Sequence, residues 1–143
     1  MTVERIMSAK GRDVVTVHPD RTLCDAARLL TERRIGAVVV SEDGARVSGI
    51  LSERDIVRAV AKSGSAVLDE AVSGYMTANV ITCTGQAGMT DLMELMTERR
   101  IRHVPVVEGG TLRGMVSIGD VVKHRVAEIE AESQAMREYI TAG

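Results

Sequence analysis

Apolar and polar positions alternate in short blocks along the chain, and the blocks follow the same order twice. Runs such as VVTV (14–17) and AVVV (37–40) are apolar and β-branched, which is typical of buried strands. Between them, over residues 23–30, apolar side chains recur at the i, i+3, i+4, i+7 spacing of one helical face. VSGIL (47–51) predicts an antiparallel strand and residues 55–61 a second helix. The predicted order is therefore β-α-β-β-α.

Polar residues at the predicted helix starts support these boundaries. Thr22 lies three positions before Asp25, and Ser52 three before Asp55, which is the spacing of a capping box. The second half departs from the first at 84–88 (TGQAG), where two glycines predict a looser helix start. The apolar stripe of the first helix recurs in the second half as Met89, Leu92, Met93 and Met96.

The last predicted helix runs on from Ser117 to about Tyr139. Its apolar positions have the 4-3-4-3-4 spacing of a narrow, heptad-like seam, with Ser133 interrupting. Those positions are Val122, Val126, Ile129, Met136 and Ile140. We expect this seam to pack on the chain's own domain or on a partner subunit rather than to form a free-standing coil.

The stretch TERRI occurs at residues 31–35 and again at 97–101, and it marks a repeat of the whole pattern. Matches continue on both sides of it, at an offset of 66 positions and then, after a turn shortens, of 65. A unit of about 50 residues buries too little surface alone, so we expect the halves to pack together. The arginines of TERRI suit the negative end of a helix dipole. The sequence divides into repeat 1 (1–62), a linker (63–75), repeat 2 (76–125) and a C-terminal helical extension (126–143).

Composition narrows the function classes. Hydrophobic residues make up 45% of the 143, and no apolar run approaches the ~20 residues of a membrane span. The net charge of −2 and the absence of Phe and Trp argue against nucleic-acid binding. Cys24 and Cys83 lack metal-binding spacing and are expected to be buried, reduced thiols, with a disulfide or metal pair as the alternative. No apolar leader precedes the pattern, so we expect a cytoplasmic protein.

Two segments combine a glycine with a helix-start carboxylate. GILSERD (49–55) and GMVSIGD (114–120) share the pattern Gly-apolar-apolar-Ser-x-x-Asp at a strand-to-helix junction. Ser-x-x-Asp alone is a capping box, but capping does not require both copies to keep the glycine. A helix start favours anionic groups, and a carboxylate there can accept hydrogen bonds from two vicinal hydroxyls, as on a ribose. The motif therefore indicates a ligand site as well as a cap.

With these motifs the chain resembles a tandem pair of CBS domains, often called a Bateman module. The resemblance covers nearly all of residues 1–125. It is carried by ERIMS and SGYMT, each before a predicted first strand, by those strands VVTV (14–17) and VITC (80–83), by RIGAVVV and RIRHVPVV, and by the two glycine–serine–aspartate motifs. It implies an α/β (α+β) fold of two β-α-β-β-α repeats packed about a pseudo-twofold axis. It also implies adenosine-containing ligands in two clefts between the repeats, a sensor rather than an enzyme, and a disk-shaped homodimer.

The resemblance also assigns residues to each cleft. In the family the aspartate of the motif holds the ribose hydroxyls with the serine beside it. This implies Asp55 with Ser52 in one cleft, the Asp55 cleft, and Asp120 with Ser117 in the other, the Asp120 cleft. Around the adenine it implies Asn79, Val80 and Ile81 in the Asp55 cleft, and Asp13, Val14 and Val15 in the Asp120 cleft.

The two repeats differ where the family binds phosphate. The resemblance implies that Arg102 and His103 meet the phosphate, and these residues align with Gly36 and Ala37 in the first copy. Family geometry pairs them with Asp55, so we expect the Asp55 cleft to take the phosphate. The Asp120 cleft is expected to bind a nucleoside, to bind weakly or to stay empty, and its small residues leave room for a larger group.

Three function classes follow. The first is a regulatory sensor of AMP, ADP, ATP or another adenosine ligand that acts in trans on a partner protein. The second, an enzyme, is disfavoured because the chain has no Walker A motif, nucleophile elbow, HExxH or zinc spacing, and we expect no catalytic or metal-binding residue. The third is a structural or interaction module whose nucleotide site is weak or inactive. The sequence leaves the choice of ligand and the need for Mg²⁺ open.

Overall fold

A computed structural model describes residues 1–11 and 13–142 of the chain. Its helices are α1 (Val3–Lys10), α2 (Leu23–Arg33), α3 (Glu53–Ser63), α4 (Met89–Arg99) and α5 (Ile118–Ala142). Its strands are β1 (Thr16–Val17), β2 (Ala37–Val40), β3 (Gly49–Ser52), β4 (His103–Glu108) and β5 (Thr111–Ser117). Two 3-10 turns, Ser65–Asp69 and Val72–Gly74, lie between the halves. This mixture of helices and small sheets, with a long last helix, confirms the predicted fold class.

The helix starts follow the predicted capping. Thr22 Oγ1 accepts a hydrogen bond from the Asp25 N–H (3.1 Å), and Ser52 Oγ accepts one from the Asp55 N–H (3.3 Å). Both aspartates accept the N–H of the capping residue in return, which completes two capping boxes. Gly88 precedes α4 and makes no such side-chain bond, as the glycine-rich segment predicted.

The strands form two small sheets. In the first, β2 lies between β1, which is parallel to it, and β3, which is antiparallel. In the second, β4 pairs with β5 in an antiparallel ladder. The run 14–17 was predicted as a strand in full, but only Thr16–Val17 pairs with β2.

The segment 80–83 (VITC) was also predicted as a strand, and this was wrong. Only Cys83 pairs with β4, through an isolated parallel bridge. The Cys83 N–H donates to the carbonyl of Pro105 (3.0 Å). The preceding bond of a parallel ladder would need an N–H from Pro105, and proline has none. In the first half the equivalent position is Val39, which can donate, and there the strand β1 forms.

Each half has its own apolar core, but the segments that lead into the halves are exchanged. The second core includes Val3, Ile6 and Met7 of α1, at the very start of the chain. The first core includes Val67 and Val72, from the segment that precedes the second half. The packing units therefore differ from the sequence repeats, because α1 packs with repeat 2 and residues 65–76 pack with repeat 1.

The exchange explains why both motifs keep their glycine. A Cβ on Gly49 would lie 2.5 Å from Met76 Sδ and 2.9 Å from the Thr77 carbonyl oxygen. A Cβ on Gly114 would collide with the Met7 methyl group and lie 2.6 Å from its sulfur. Met7 and Met76 are the methionines of ERIMS and SGYMT, so each exchanged segment packs directly on the glycine of the other repeat.

Two further features concern the membrane span and the cysteine chemistry that the composition argued against. No helix in the described part of the chain is long and apolar enough to cross a membrane. Cys24 and Cys83 are half-buried free thiols. Burial raises the pKa of Cys83 to about 11, so this thiol is protonated at neutral pH and is a poor nucleophile.

Candidate functional site

The capping box at the start of α3 also orients a carboxylate toward a cleft. Asp55 Oδ2 accepts hydrogen bonds from the Ser52 N–H (2.8 Å) and the Ser52 hydroxyl (3.0 Å). Asp55 Oδ1 makes no hydrogen bond within the described chain, and no basic side chain there forms an ion pair with Asp55. This oxygen therefore retains its capacity to accept hydrogen bonds from a ligand.

The Asp55 cleft lies between the start of α3 and the exchanged segment that precedes the second half. Its volume is about 280 Å³, just below the usual range of ligand pockets. It brings together every residue implied for it by the sequence. These are Ser52, Asp55, Asn79, Val80, Ile81, Arg102 and His103.

Positive charge dominates the Asp55 cleft. Arg54, Arg58 and Arg100 line it together with Arg102, against the carboxylates of Glu53 and Asp55. Guanidinium groups are well suited to phosphate, because they can donate two parallel hydrogen bonds to its oxygens. The cleft therefore combines a hydroxyl acceptor at one point with phosphate donors around it.

The Asp120 cleft has the same framework, but the side chain of Lys10 reaches its carboxylate. It has a volume of about 330 Å³ and contains all of its implied residues, Asp13, Val14, Val15, Ser117 and Asp120. Asp120 Oδ2 accepts hydrogen bonds from the Ser117 N–H (2.9 Å) and hydroxyl (3.0 Å), and it also forms an ion pair with Lys10 Nζ (2.7 Å). Lys10 Nζ donates a second bond to the Met115 carbonyl (2.9 Å).

The ion pair changes the electrostatics of Asp120. Burial raises the pKa of this carboxyl group, but the hydrogen bonds from Lys10 and Ser117 and the charge of Lys10 outweigh it. The net result is a pKa below the ordinary value. A ligand hydroxyl that approaches Asp120 therefore meets a carboxylate whose charge is already compensated.

Lys10 and Asn79 hold equivalent positions. The segments MSAK (7–10) and MTAN (76–79) align through the methionines that pack on the two glycines. Lys10 lines the Asp120 cleft, and Asn79 lines the Asp55 cleft. One side chain thus decides which of the two carboxylates is compensated by an internal cation.

His103 lies between the two clefts and lines both, together with Gly36 and Ala37. Its imidazole packs on Gly36, where an added Cβ would lie 3.4 Å from the ring. Burial lowers the pKa of His103 below 6.5. The positive charges of Lys10 and Arg102 lower this pKa further, while Asp120 and Glu53 oppose them.

Several residues in the clefts were missed by sequence reasoning. Arg34 and Arg100, the second arginines of the two TERRI stretches, end α2 and α4 in the left-handed conformation (φ 54° and 53°). Arg100 lines the Asp55 cleft and Arg34 the Asp120 cleft, so the repeated arginine occupies the clefts as well as the helix ends. The exact repetition of TERRI was the available signal. Lys10 had no such signal, because only the exchange of α1 brings it to Asp120.

Gly36 and Ala37 border both clefts, and the Asp120 cleft has the larger volume, about 330 Å³ against about 280 Å³ for the Asp55 cleft. The His103 ring packs against Gly36, and Lys10 and Arg34 supply basic groups to the Asp120 cleft.

Among the described residues, no group of three or more His, Cys, Asp or Glu side chains is placed to hold a metal ion.

Comparison with known proteins gives consistent matches. The family model described as "CBS domain" matches residues 3–62 and again 72–127. A CBS-domain containing protein from Agrobacterium tumefaciens is 52% identical in its crystal structure, with a TM-score of 0.84 over 87% of this chain and 99% of that one.

Two other relatives extend the comparison. The mitochondrial CBS domain-containing protein CBSX3 of Arabidopsis thaliana is 35% identical over 99% of this chain, which spans 73% of that protein. The CBS domain pair of protein MJ0100 was crystallised with 5′-methylthioadenosine and S-adenosyl-L-methionine. It is 24% identical, with a TM-score of 0.79 over 90% of this chain and 98% of that one, a likeness that shows the fold alone.

Proposed function

Because the chain belongs to the CBS-domain family as a tandem pair, we propose that it is a non-catalytic sensor that binds an adenosine nucleotide in the Asp55 cleft. The ligand is an adenosine phosphate of the AMP, ADP or ATP type, and the sensor acts in trans on a partner protein. A cytoplasmic location belongs to the same proposal. The observation that carries it is an uncompensated Asp55 carboxylate in a cleft lined by four arginines.

The arrangement matches the parts of such a ligand. Asp55 Oδ1 is available to the ribose hydroxyls, and the exposed backbone near Asn79 and the apolar Val80 and Ile81 suit an adenine ring. Arg100 and Arg102 suit the phosphate. Such a ligand contacts both halves at once, so it shifts their arrangement only by its differential affinity for the two states.

The regulatory role is supported by how the one serine of the cleft is held. Ser52 donates its hydroxyl to Asp55 Oδ2 (3.0 Å), but its oxygen accepts the Asp55 N–H (3.3 Å), so the hydroxyl serves as a helix cap rather than as an activated nucleophile. Bound nucleotide is therefore expected to be retained unchanged. Recovery of intact ATP after prolonged incubation checks this, and conversion to ADP would contradict it.

The second candidate is an interaction module that ignores nucleotides. The observation that favours it is the row of exposed apolar side chains on α5, including Ile129 and Met136. In that case no adenosine ligand would stabilise the protein, while assembly would still depend on α5.

Thermal unfolding with adenosine, AMP, ADP, ATP and S-adenosyl-L-methionine tests the proposal. A ligand that binds only the native state stabilises it by about 2.7 kcal/mol at 100 times its dissociation constant. We expect an adenosine phosphate to raise the midpoint, and Asp55→Ala and Arg102→Ala to remove most of that rise. Each rise is measured against the same variant without ligand, because Asp55 also caps α3.

Asp25→Ala is the matched control. Asp25 completes the equivalent capping box of α2 but lies outside both clefts. It should lower the unligated midpoint and leave the ligand-induced rise intact. If no adenosine ligand shifts the wild type, or if Asp25→Ala removes the rise as fully as Asp55→Ala, the Asp55 cleft is not the nucleotide site.

A further inference from the structure

The distal part of α5 extends away from the rest of the chain. With 25 residues the helix is about 37 Å long at a rise of about 1.5 Å per residue. Every residue from 129 to 142 is exposed, including Met136 (60%) and Ile140 (69%). A free helical segment of this length is marginal in water, and helices in proteins gain their stability from packing an apolar face. The segment therefore needs a partner for its apolar side.

The apolar seam of α5 is separate from the side that faces the chain's own domain. Val121 is buried against the second core, and His124 and Glu128 on the same side are half-buried. The seam residues Val122 and Val126 are each about half exposed. At about 100° per residue, Val122 lies about 100° and Val126 about 140° around the helix from Val121. The seam can therefore meet another helix while α5 stays docked on its own core.

The seam residues occupy the a and d positions of a heptad repeat, and their identities favour a two-stranded coiled coil. The a positions are Val126, Ser133 and Ile140, and the d positions are Val122, Ile129 and Met136. β-Branched residues at a favour two-stranded coils, and a single polar residue at a helps to fix the register.

The flanking charges distinguish the two orientations. In a parallel, in-register pair each g residue faces the e residue five positions on in the other helix. Arg125 then faces Glu130 of the second copy, and Glu132 faces Arg137, so all four contacts of the symmetric pair are attractive. Arg125 also bonds Glu128 on its own helix (3.2 Å), whereas Glu132 and Arg137 make no ion pair within the described chain.

An antiparallel pair with the same apolar layers has the opposite balance. There g faces g and e faces e, so Glu130 and Glu132 each face their own copy. Lys123 faces Arg137, again with like charges. The same sequence thus favours one orientation and disfavours the other.

We propose that α5 forms a parallel, in-register, two-stranded coiled coil with α5 of a second copy of this chain. The coil places the same ends of the two domain pairs side by side, because parallel helices leave their domains in one direction. The inference stands apart from nucleotide binding, since none of the seam residues lines the Asp55 cleft.

Charge reversal tests the proposal on the full chain without nucleotide, by sedimentation equilibrium. Glu132→Arg and Arg137→Glu should each weaken self-association by about tenfold or more, since each replaces two attractive contacts with repulsive ones. The double variant, and an equimolar mixture of the two single variants, should associate as tightly as the wild type. Glu138→Arg makes the same charge change as Glu132→Arg on the far side of the helix and should have no effect. Circular dichroism of each variant checks that α5 remains helical.

The opposite results are equally specific. Tighter association of Arg137→Glu would indicate an antiparallel pair, because the introduced carboxylate would then face Lys123 of the second copy. A monomeric wild type, or association that none of these variants changes, would also overturn the proposal.

Disulfide formation reports the orientation independently. In the parallel coil Met136 faces Met136 of the second copy, so Met136→Cys should cross-link efficiently on mild oxidation. Ala131→Cys, on the far side of the helix, should not. The wild type supplies the background from Cys24 and Cys83. Failure of Met136→Cys to cross-link above that background would contradict the parallel coil.

Discussion

Lys10 and Asn79 are equivalent residues that give the two clefts different chemistry. Lys10 compensates Asp120 through a 2.7 Å ion pair, whereas Asn79 carries no charge and Asp55 forms no ion pair in the described part of the chain. A ligand that uses Asp120 must first displace an ammonium group that also bonds the Met115 carbonyl. At the scale of single residues, this difference is the reason for proposing the Asp55 cleft as the ligand site.

Exchanging the two residues should exchange the behaviour of the clefts. Lys10→Asn should create a second adenosine site per chain, and Asn79→Lys should weaken binding at Asp55 by about tenfold or more, because a lysine there would pair with the carboxylate. Equilibrium dialysis with labelled adenosine counts the sites. Lys62→Asn, outside both clefts, serves as the control for loss of a lysine. Unchanged stoichiometry in Lys10→Asn would show that Lys10 does not block the second cleft.

His103 should give nucleotide binding and stability opposite dependences on pH. Its pKa in the folded chain is below the ordinary 6.5 because of burial and the nearby Lys10 and Arg102. The unfolded state therefore takes up a proton first, so the contribution of His103 to stability is lost as pH falls through 6.5 and below. A phosphate dianion beside the ring would raise its pKa and favour protonation.

The expected result is that acidification destabilises the free protein while it tightens AMP binding relative to adenosine. Urea unfolding between about pH 8 and pH 5 measures the first effect, and AMP titration between about pH 8 and pH 6.5 measures the second. His103→Gln should flatten both. If AMP affinity keeps the same pH dependence in His103→Gln, the imidazole does not contact the phosphate.

At the scale of elements, the exchange of the leading segments determines which residues line each cleft. α1 and the segment 70–77 each cross to the other repeat, where their methionines pack on Gly114 and Gly49. The same crossing carries Lys10 and Asn79 into the clefts. The glycine of the motif is thus a packing requirement that places cleft residues.

Alanine at these glycines should destabilise the fold to different extents. Gly49→Ala meets the backbone carbonyl of Thr77 as well as Met76, so we expect a loss of about 1–3 kcal/mol in the free energy of unfolding. Gly114→Ala meets only the flexible end of Met7 and should lose less. Gly74→Ala, with nothing within 4 Å of the added methyl group, should be close to neutral. Urea denaturation measures all three, and an equal effect of Gly49→Ala and Gly74→Ala would contradict this account.

Local features of the chain were predictable from sequence, and long-range ones were not. The capping boxes at Thr22 and Ser52 depend on residues three positions apart, and both formed as predicted. The strand at 80–83 failed because Pro105, distant in sequence, cannot donate to it. Lys10 was missed because its partner Asp120 lies on the opposite half. Periodicity specifies elements, but it does not say which half a leading segment packs on.

At the scale of the whole molecule, charge is unevenly distributed although the net charge is only −2. Four arginines converge on the Asp55 cleft, whereas Asp120 and Asp13 offset the cations of the other cleft. Gly36, Ala37 and His103 line both clefts, so the two clefts adjoin each other. The Asp55 cleft is therefore the more cationic of the two, in line with its proposed role in binding a phosphate.

The preference for a phosphate should depend on salt. At about 0.1 M salt we expect the affinity for AMP to exceed that for adenosine by about tenfold or more. This ratio of affinities should shrink several-fold at about 1 M salt, where exposed charges are screened. Paired calorimetric titrations at the two salt concentrations measure the ratio. A ratio that is unaffected by salt would show that the arginines do not act on the phosphate.

The most direct test of the central claim is a calorimetric titration of AMP into the full chain, with Asp55→Asn and Asp120→Asn beside it. The account predicts one AMP per chain in the wild type and in Asp120→Asn, and a loss of about 100-fold or more in affinity in Asp55→Asn. Retention of binding in Asp55→Asn with its loss in Asp120→Asn would contradict the account, as would two equivalent sites in the wild type.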